Sequence, residues 1–310
     1  EYEDAERGFS NPPRIEAHTD GLDVLVVLFH APHRTEVRRF VAVARHNESV
    51  ATRMEDVAVV LRAYPLGEAD RILSLLTEEH GVVRAVAKGV RKPTSRFGSR
   101  LQPLNHVHVV MYAGRNLATI SGVDSVQLYG SQIAGDYVRW SAGHVLAEAT
   151  ERLVTEELEP ARPQYRLLVS GLAALTDQRR DPRLVIDAFL LRSLATGGWA
   201  PSFSDCAQCG DDGPHAWIHL PSGGAVCEGC RPSGAVSISP GTSGLLGALL
   251  SGDWSSADRA ATTSRRAASG VVAAYLQLHL ERELRSLPIA DKAWLADLSA
   301  KLVSEEDIVA

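Results

Sequence analysis

The hydrophobic pattern of this 310-residue chain changes its period near Tyr129, and that change restricts the possible folds more than any other feature. Before it, short β-branched runs are separated by turn residues, a pattern typical of closely spaced strands. The predicted strands cover residues 57–64, 72–77, 81–87, 106–112 and 117–123. Because five short strands within about 70 residues suit a small barrel better than a parallel sheet, we predict a five-stranded OB-fold barrel.

After Tyr129 the apolar residues recur at helical spacing, which predicts α-helices. The predicted helices cover residues 142–159, 165–176, 184–195, 260–284 and 294–302. An insert of about residues 201–234, within a connection rich in Pro, Gly and Ser, contains all four cysteines. The predicted fold class is therefore multi-domain α+β: an OB-fold barrel at residues 54–128, followed by an α-helical domain at residues 129–310 that carries the cysteine insert.

Residues 1–53 lack this periodicity. They mix both charges around Pro12 and Pro13, and only residues 24–29 have the composition of a strand. We predict a weakly ordered N-terminal extension that lies upstream of a natural start at Met54, and we expect its deletion to leave folding intact.

Two C-x-x-C motifs, separated by seventeen residues, give the most specific chemical signal in the chain. Each motif bends into a turn that directs two thiolates toward one point, so that two motifs complete a tetrahedral sulfur shell. Four sulfur ligands leave no position open for water, and we therefore predict one structural zinc ion per chain. A redox pair or two disulfides are the alternative, and His215 or His219 could replace a ligand. The predicted zinc ligands are Cys206, Cys209, Cys227 and Cys230.

The charge of the chain is unevenly distributed. Its net charge is −6, which by itself argues mildly against a nucleic-acid partner. Residues 80–123, however, contain seven Arg and Lys and no Asp or Glu, whereas the remaining residues contain 25 basic and 38 acidic side chains. This stretch spans the later strands of the predicted barrel, so we expect it to bind an anion.

The basic residues cluster between two predicted strands, in the kind of loop that flanks the nucleic-acid groove of an OB-fold. Phe97, and also Tyr64 or Tyr112, offers a ring for base stacking. A solvated loop that serves solubility is the alternative interpretation. The predicted nucleic-acid-binding residues are Arg84, Lys88, Arg91, Lys92, Arg96, Phe97, Arg100 and Arg115.

Several function classes are excluded or disfavoured. None of the four lysines, Lys88, Lys92, Lys292 and Lys301, lies between a glycine and Ser or Thr, so a Walker A phosphate loop is absent. No nucleophile elbow or carboxylate metal cluster is present, and we predict that the protein is not an enzyme. No apolar run approaches the ~20 residues of a membrane span, so no membrane partner is expected.

Several short motifs, taken in order, resemble the RecO family of recombination mediators. Gly-Glu-Ala-Asp-Arg-Ile opens the series, and Gly-Gly-Trp-Ala-Pro directly precedes the first C-x-x-C motif. The similarity covers about residues 54–310. Its motifs lie at residues 67–72, 77–81, 87–91, 95–98, 197–201 and 279–287.

This resemblance implies an OB-fold joined to a helical domain with a zinc knuckle. It also implies ATP-independent binding of single- and double-stranded DNA and annealing of complementary strands. A cytoplasmic, nucleoid-associated location is expected, since the sequence shows neither a membrane span nor a secretory signal. The implied partners are RecR and single-stranded-DNA-binding protein, with RecA as the protein that is finally loaded. A second function class stays open, in which a zinc-stabilised OB-fold protein binds RNA or the ribosome.

Overall fold

Alternating side chains close the first part of the chain into a five-stranded barrel. The computed structural model describes residues 52–154, 159–280 and 282–297. The barrel strands are β1 (Arg53–Leu66), β2 (Asp70–Thr77), β3 (Gly81–Ala87), β4 (His106–Tyr112) and β5 (Ala118–Gln127). They close in the order β1-β2-β3-β5-β4, with β3 and β5 parallel and the other pairs antiparallel. The predicted five-stranded, OB-like barrel is confirmed.

Alternate residues of the strands point into the barrel, where aliphatic side chains and Met111 form a continuous core. A register shift between Val60 and Arg62 interrupts this alternation in β1. Val59 and Leu61 pack against the helices and Val60 packs inside the barrel, as ordinary strand alternation requires. The shift adds one residue to the strand, so that Arg62 also faces the helices, where it pairs with Glu151, and Ala63 returns to the barrel core.

The helical region follows directly after β5. Its helices are α1 (Tyr129–Ile133), α2 (Tyr137–Leu153), α3 (Arg162–Thr176), α4 (Pro182–Thr196), α5 (Pro240–Ser251), α6 (Trp254–Asp258), α7 (Thr262–His279) and α8, helical over residues 287–297. A three-stranded sheet, β6 (Trp217–His219), β7 (Gly224–Val226) and β8 (Val236–Ser237), lies between α4 and α5.

Two helix ends differ from the sequence prediction. Helix α2 ends at Leu153 because Val154 is extended, and α7 ends at His279 because Leu280 is extended. The chain after α7 continues to Ser286, whose backbone N–H and hydroxyl both donate to the Glu148 carboxylate. Helix α8 then begins at residue 287, whereas the predicted helix begins at residue 294. Within the described ranges, no helix combines the length and apolar character needed to cross a bilayer.

The prediction for residues 1–53 falls almost wholly outside the described residues. Thr52 and Arg53 are the exceptions, and Arg53 belongs to β1, where it pairs with Tyr112 of β4.

The barrel and the helices pack against each other through both apolar and polar contacts. Leu76 and Val82 of the barrel are buried in the helical core. The buried His106 ring of β4 lies 2.7 Å, through Nε2, from the Tyr165 hydroxyl of α3. Burial lowers the pKa of His106, so the ring is neutral at physiological pH. Arg62 of β1 forms an ion pair of 2.8 Å with Glu151 of α2.

We expect replacement of Tyr165 by phenylalanine to lower the free energy of unfolding by about 1–3 kcal/mol, because it leaves a buried imidazole nitrogen without its partner. Urea denaturation measures this value. Tyr137→Phe on the exposed start of α2 is the matched control, since Tyr137 is 63% exposed. Equal free energies of unfolding for the two variants would contradict a stabilising contact between His106 and Tyr165.

Candidate metal centre and nucleic-acid interface

Each C-x-x-C motif folds into a tight turn. In the first, Gly210 N–H donates to the Cys206 carbonyl at 2.8 Å, and Gly210 adopts a positive φ of 74°. Glycine takes this conformation without a steric penalty. In the second, Cys230 N–H donates to the Cys227 carbonyl at 3.2 Å within a short 3₁₀ turn. The two turns therefore follow from local chain geometry.

The small sheet brings these two turns together. Cys227 follows directly after β7, and Ala207 N–H in the first turn donates to the Ala225 carbonyl of β7 at 2.7 Å. Gly224 lets the chain before the first motif lie beside β7, since a Cβ there would lie only 2.0 Å from the Ser202 carbonyl oxygen. The sheet thus holds motifs that are separated in sequence in direct contact.

The four sulfur atoms lie within 4.8 Å of one another. The Cys209 and Cys227 sulfurs are 3.8 Å apart, far longer than a disulfide bond of ~2.05 Å. A tetrahedron with Zn–S bonds of ~2.3 Å has edges of about 3.8 Å. All four cysteines are free thiols. Both the donor set and its spacing fit a tetrahedral metal ion, and the cluster can hold one.

The four thiols influence one another's ionisation. The Cys227 N–H, 3.4 Å from the Cys206 sulfur, lowers the pKa of the Cys206 thiol to about 6. Hydrogen bonding with Cys209 raises the pKa of Cys230 to about 12. Four sulfurs this close resist ionising together unless a cation offsets their charge.

The insert histidines have other partners. His215 Nε2 lies 2.9 Å from the Asp211 carbonyl oxygen, and His219 Nδ1 lies 2.7 Å from the Ser222 hydroxyl. Neither belongs to the sulfur cluster. The insert is anchored elsewhere to the helical core, where Phe203 and Ile218 are buried.

The basic connection between β3 and β4, residues 88–105, lies against the turn between β1 and β2. Arg91 donates from its backbone N–H to the Ala69 carbonyl at 2.9 Å and from its guanidinium to the Gly67 carbonyl at 3.0 Å. Gly89 N–H donates to the Asp70 carboxylate at 2.6 Å. These contacts hold the basic connection beside the β1–β2 loop, the loop that borders the binding face in OB-folds that bind oligonucleotides.

The predicted basic residues occupy three places on the barrel. Arg84 lies on the outer face of β3, the connection carries most of the others, and Arg115 lies in the loop between β4 and β5. Most are exposed to solvent; these are Arg84, Lys88, Arg91, Lys92, Arg96 and Arg115.

Besides Arg91, two further predicted residues are partly engaged within the protein. Arg100 is half-buried and donates to the Val123 carbonyl at 2.9 Å. Phe97 is half-buried and packs against the barrel core. The ring of Phe97 thus contributes to holding the connection on the barrel.

Sequence reasoning missed two features of this region. Asp70 orients the basic connection through its carboxylate, which accepts the Gly89 N–H. From the sequence alone, an aspartate just before a predicted strand indicates only a turn. A cleft of about 500 Å³ also lies between the outer face of the barrel and the end of α2. Its lining combines both regions of the chain: Tyr64, Ile72, Ser74, Val82, Arg84, Glu151 and Val154.

The fold and the site together define an OB-like barrel protein with a cysteine-bearing helical region. The family model described as Recombination protein O N terminal matches residues 52–129, and Recombination protein O C terminal matches residues 134–288. DNA repair protein RecO of Thermobifida fusca (strain YX) is 50% identical over 238 residues, which cover 77% of this chain and 98% of that relative. The chain belongs to the RecO family of DNA repair proteins, which supports a role in recombinational repair. The resemblance seen in its sequence motifs is confirmed.

Proposed function

We propose that the protein is a non-enzymatic recombination mediator. It binds single- and double-stranded DNA, anneals complementary strands without ATP and, with RecR, helps to load RecA onto DNA coated by single-stranded-DNA-binding protein. It acts in the cytoplasm at the nucleoid. The observation that carries this proposal is the basic connection held against the β1–β2 turn of an OB-like barrel by Arg91 and Gly89.

The proposed DNA surface consists of the basic side chains of β3, of the connection that follows it and of the loop between β4 and β5. Lys and Arg neutralise phosphates and release condensed counterions, which supplies binding energy without regard to base sequence. Sequence-independent binding suits a mediator, because breaks occur at any sequence. The proposed contacts are Arg84, Lys88, Arg91, Lys92, Arg96, Arg100 and Arg115, with Phe97 bracing the connection.

Annealing follows from the same charges. Two complementary strands repel each other through their phosphates, and a cationic surface that holds one strand lowers the repulsion felt by the second. No bond is broken or formed in the protein, so no nucleophile or nucleotide site is required. Base pairing between the strands then drives their release from the surface as duplex.

We also propose that the four cysteines hold one structural zinc ion, which stabilises the insert and takes no part in chemistry. Cys206, Cys209, Cys227 and Cys230 would provide the complete ligand shell. The role of the ion is to hold the two turns together, because this small sheet carries only three short strands.

Strand annealing in solution tests the proposal. Labelled complementary DNA oligonucleotides are expected to anneal faster with the protein than without it, with no added nucleotide, and matched RNA strands are expected to anneal less efficiently. Quenching of paired fluorophores measures the rate. Preference for RNA with no acceleration of DNA annealing would contradict the mediator and favour the zinc-stabilised RNA-binding function.

A further inference from the structure

The four sulfurs of the cysteine cluster are unequally covered by the protein. Cys209 is exposed to solvent, whereas Cys206 is buried and the two cysteines of the second motif are half-buried. The Cys206 backbone N–H donates to the Asp211 carbonyl at 2.8 Å and its sulfur accepts the Cys227 N–H, so both turns enclose this residue. Because oxidation of a cysteine follows its exposure, Cys209 is the sulfur that an oxidant reaches most readily.

Two glycines keep the approach to the cluster open. A Cβ at Gly210, directly after Cys209, would meet no other part of the described chain within 4 Å. A Cβ at Gly229 would lie 4.0 Å from the Cys227 sulfur, so this glycine leaves free a side of the sulfur that any larger residue would cover. A small oxidant such as hydrogen peroxide can therefore approach the cluster along either turn.

The exposed sulfur has a second sulfur within reach. Cys209 and Cys227 belong to different turns, yet their sulfur atoms lie 3.8 Å apart. The backbone holds the two turns in this position, since Ala207 N–H donates to the Ala225 carbonyl two residues before Cys227. A thiolate resolves an oxidised cysteine by direct attack on its sulfur, and Cys227 is placed to attack Cys209 in this way.

We propose that Cys209 and Cys227 are a peroxide-sensitive thiol pair, which a hydroperoxide converts from metal ligands into a disulfide that joins the two turns. The inference rests on the proposed zinc site and adds a covalent modification to it. The Cys209 thiolate attacks one peroxide oxygen, the O–O bond breaks, and Cys209 becomes a sulfenic acid while hydroxide leaves. The Cys227 thiolate then attacks the Cys209 sulfur and displaces its oxygen as a second hydroxide. Two thiolates, one hydrogen peroxide and two protons from solvent thus give one disulfide and two waters.

The oxidised cluster keeps only Cys206 and Cys230 as thiols. Two sulfurs do not complete a tetrahedral shell, so the cluster is expected to lose its zinc. The disulfide still joins the two turns, and the insert is still anchored where Phe203 and Ile218 are buried in the helical core. Reduction by a dithiol returns both thiolates, so the modification is reversible.

The test treats the zinc-loaded parent protein with hydrogen peroxide. A colorimetric chelator is expected to detect release of about one zinc per chain. Peptide mass spectrometry is expected to find a disulfide between Cys209 and Cys227, and dimedone, which traps sulfenic acids, is expected to label Cys209 before the other cysteines. A dithiol with added zinc is expected to restore the metal content.

A glycine variant tests the approach without removing a ligand. Gly229→Leu is expected to slow zinc release several-fold, because the larger side chain covers the Cys227 sulfur. Gly135→Leu is the matched control: Gly135 is exposed, and a Cβ there would also meet no other part of the described chain within 4 Å. This control is expected to release zinc at the parent rate.

Four results would overturn the thiol pair: zinc that stays bound under peroxide, disulfides confined to each C-x-x-C motif, oxidation that a dithiol does not reverse, or equal release rates for the two glycine variants. The first three are measured on the parent protein and do not depend on the folding of a variant. Untreated parent protein that contains no zinc in native mass spectrometry would instead refute the proposed metal site, so the two failures are distinguishable.

Discussion

Replacement of Cys206 by serine is expected to remove the metal from the protein and to unfold the insert. The Cys206 sulfur is buried and accepts the Cys227 N–H, so its loss affects both turns. Binding of structural zinc provides folding free energy directly, with apparent values of ~10–16 kcal/mol in zinc-finger peptides. Mass spectrometry under native conditions is expected to find about one zinc per parent chain and none in the variant, and thermal unfolding is expected to begin at a lower temperature.

The control for this prediction is the double variant His215→Ala, His219→Ala. Both rings lie in the same insert, but their partners are Asp211 and Ser222, so zinc content is expected to stay unchanged. A Cys206→Ser protein that kept its zinc and its stability would show that the ligand assignment is wrong. Loss of zinc from the histidine variant would show that the shell contains nitrogen ligands.

Replacement of Arg91, Lys92 and Arg96 together by glutamine is expected to weaken DNA binding about tenfold or more at moderate salt and to flatten its salt dependence. Each lost phosphate contact lowers the slope of log K against log salt by about 0.7 for single strands and 0.9 for duplex. Glutamine retains a hydrogen-bond donor, so the contact of residue 91 with the Gly67 carbonyl can persist in part. Anisotropy titrations at several salt concentrations measure the slope.

A second triple variant makes the same charge change elsewhere. Arg179, Arg259 and Arg266 are exposed on the helical domain, and their replacement by glutamine is expected to leave both affinity and slope near the parent values. If the barrel variant keeps the parent slope, the DNA path runs elsewhere on the molecule. If both triple variants lose affinity equally, the effect comes from net charge and the basic connection has no special role.

The strands and most helices could be predicted because their signals are local. Residues 81–87 and 106–112 were predicted as strands with the bounds that the structure shows, since turn residues border both runs. The limits of β1 were wrong because its first residues extend as a strand only through pairing with β4. Likewise, the end of α2 depends on the extended backbone at Val154 and not on the proline that follows.

The chemistry of the cysteine cluster was also predictable, because two short motifs encode both the ligand type and the turn that presents it. The histidines illustrate the limit of this reasoning. His215 and His219 lie close enough in sequence to serve as ligands, and only the tertiary structure directs them to the Asp211 carbonyl and the Ser222 hydroxyl.

The basic surface was predictable in its composition but not in its arrangement. The acid-free stretch identifies the side chains, yet whether each is exposed, as Lys92 is, or engaged, as Arg100 is, depends on contacts between distant residues. Phe97 was predicted to stack on bases, and the structure packs it against the barrel core. Whether it also contacts DNA stays a prediction.

The sequence by itself determined the fold class, the sulfur cluster and the location of positive charge, because hydrophobic period, motif spacing and residue type are properties of short segments. The tertiary structure decided which distant side chains meet. It placed Tyr64 and Tyr112 in one row through four strand pairings, and it joined His106 of the barrel to Tyr165 of the helical region. These contacts depend on barrel closure and strand register, which a segment adopts only when its partners are in place.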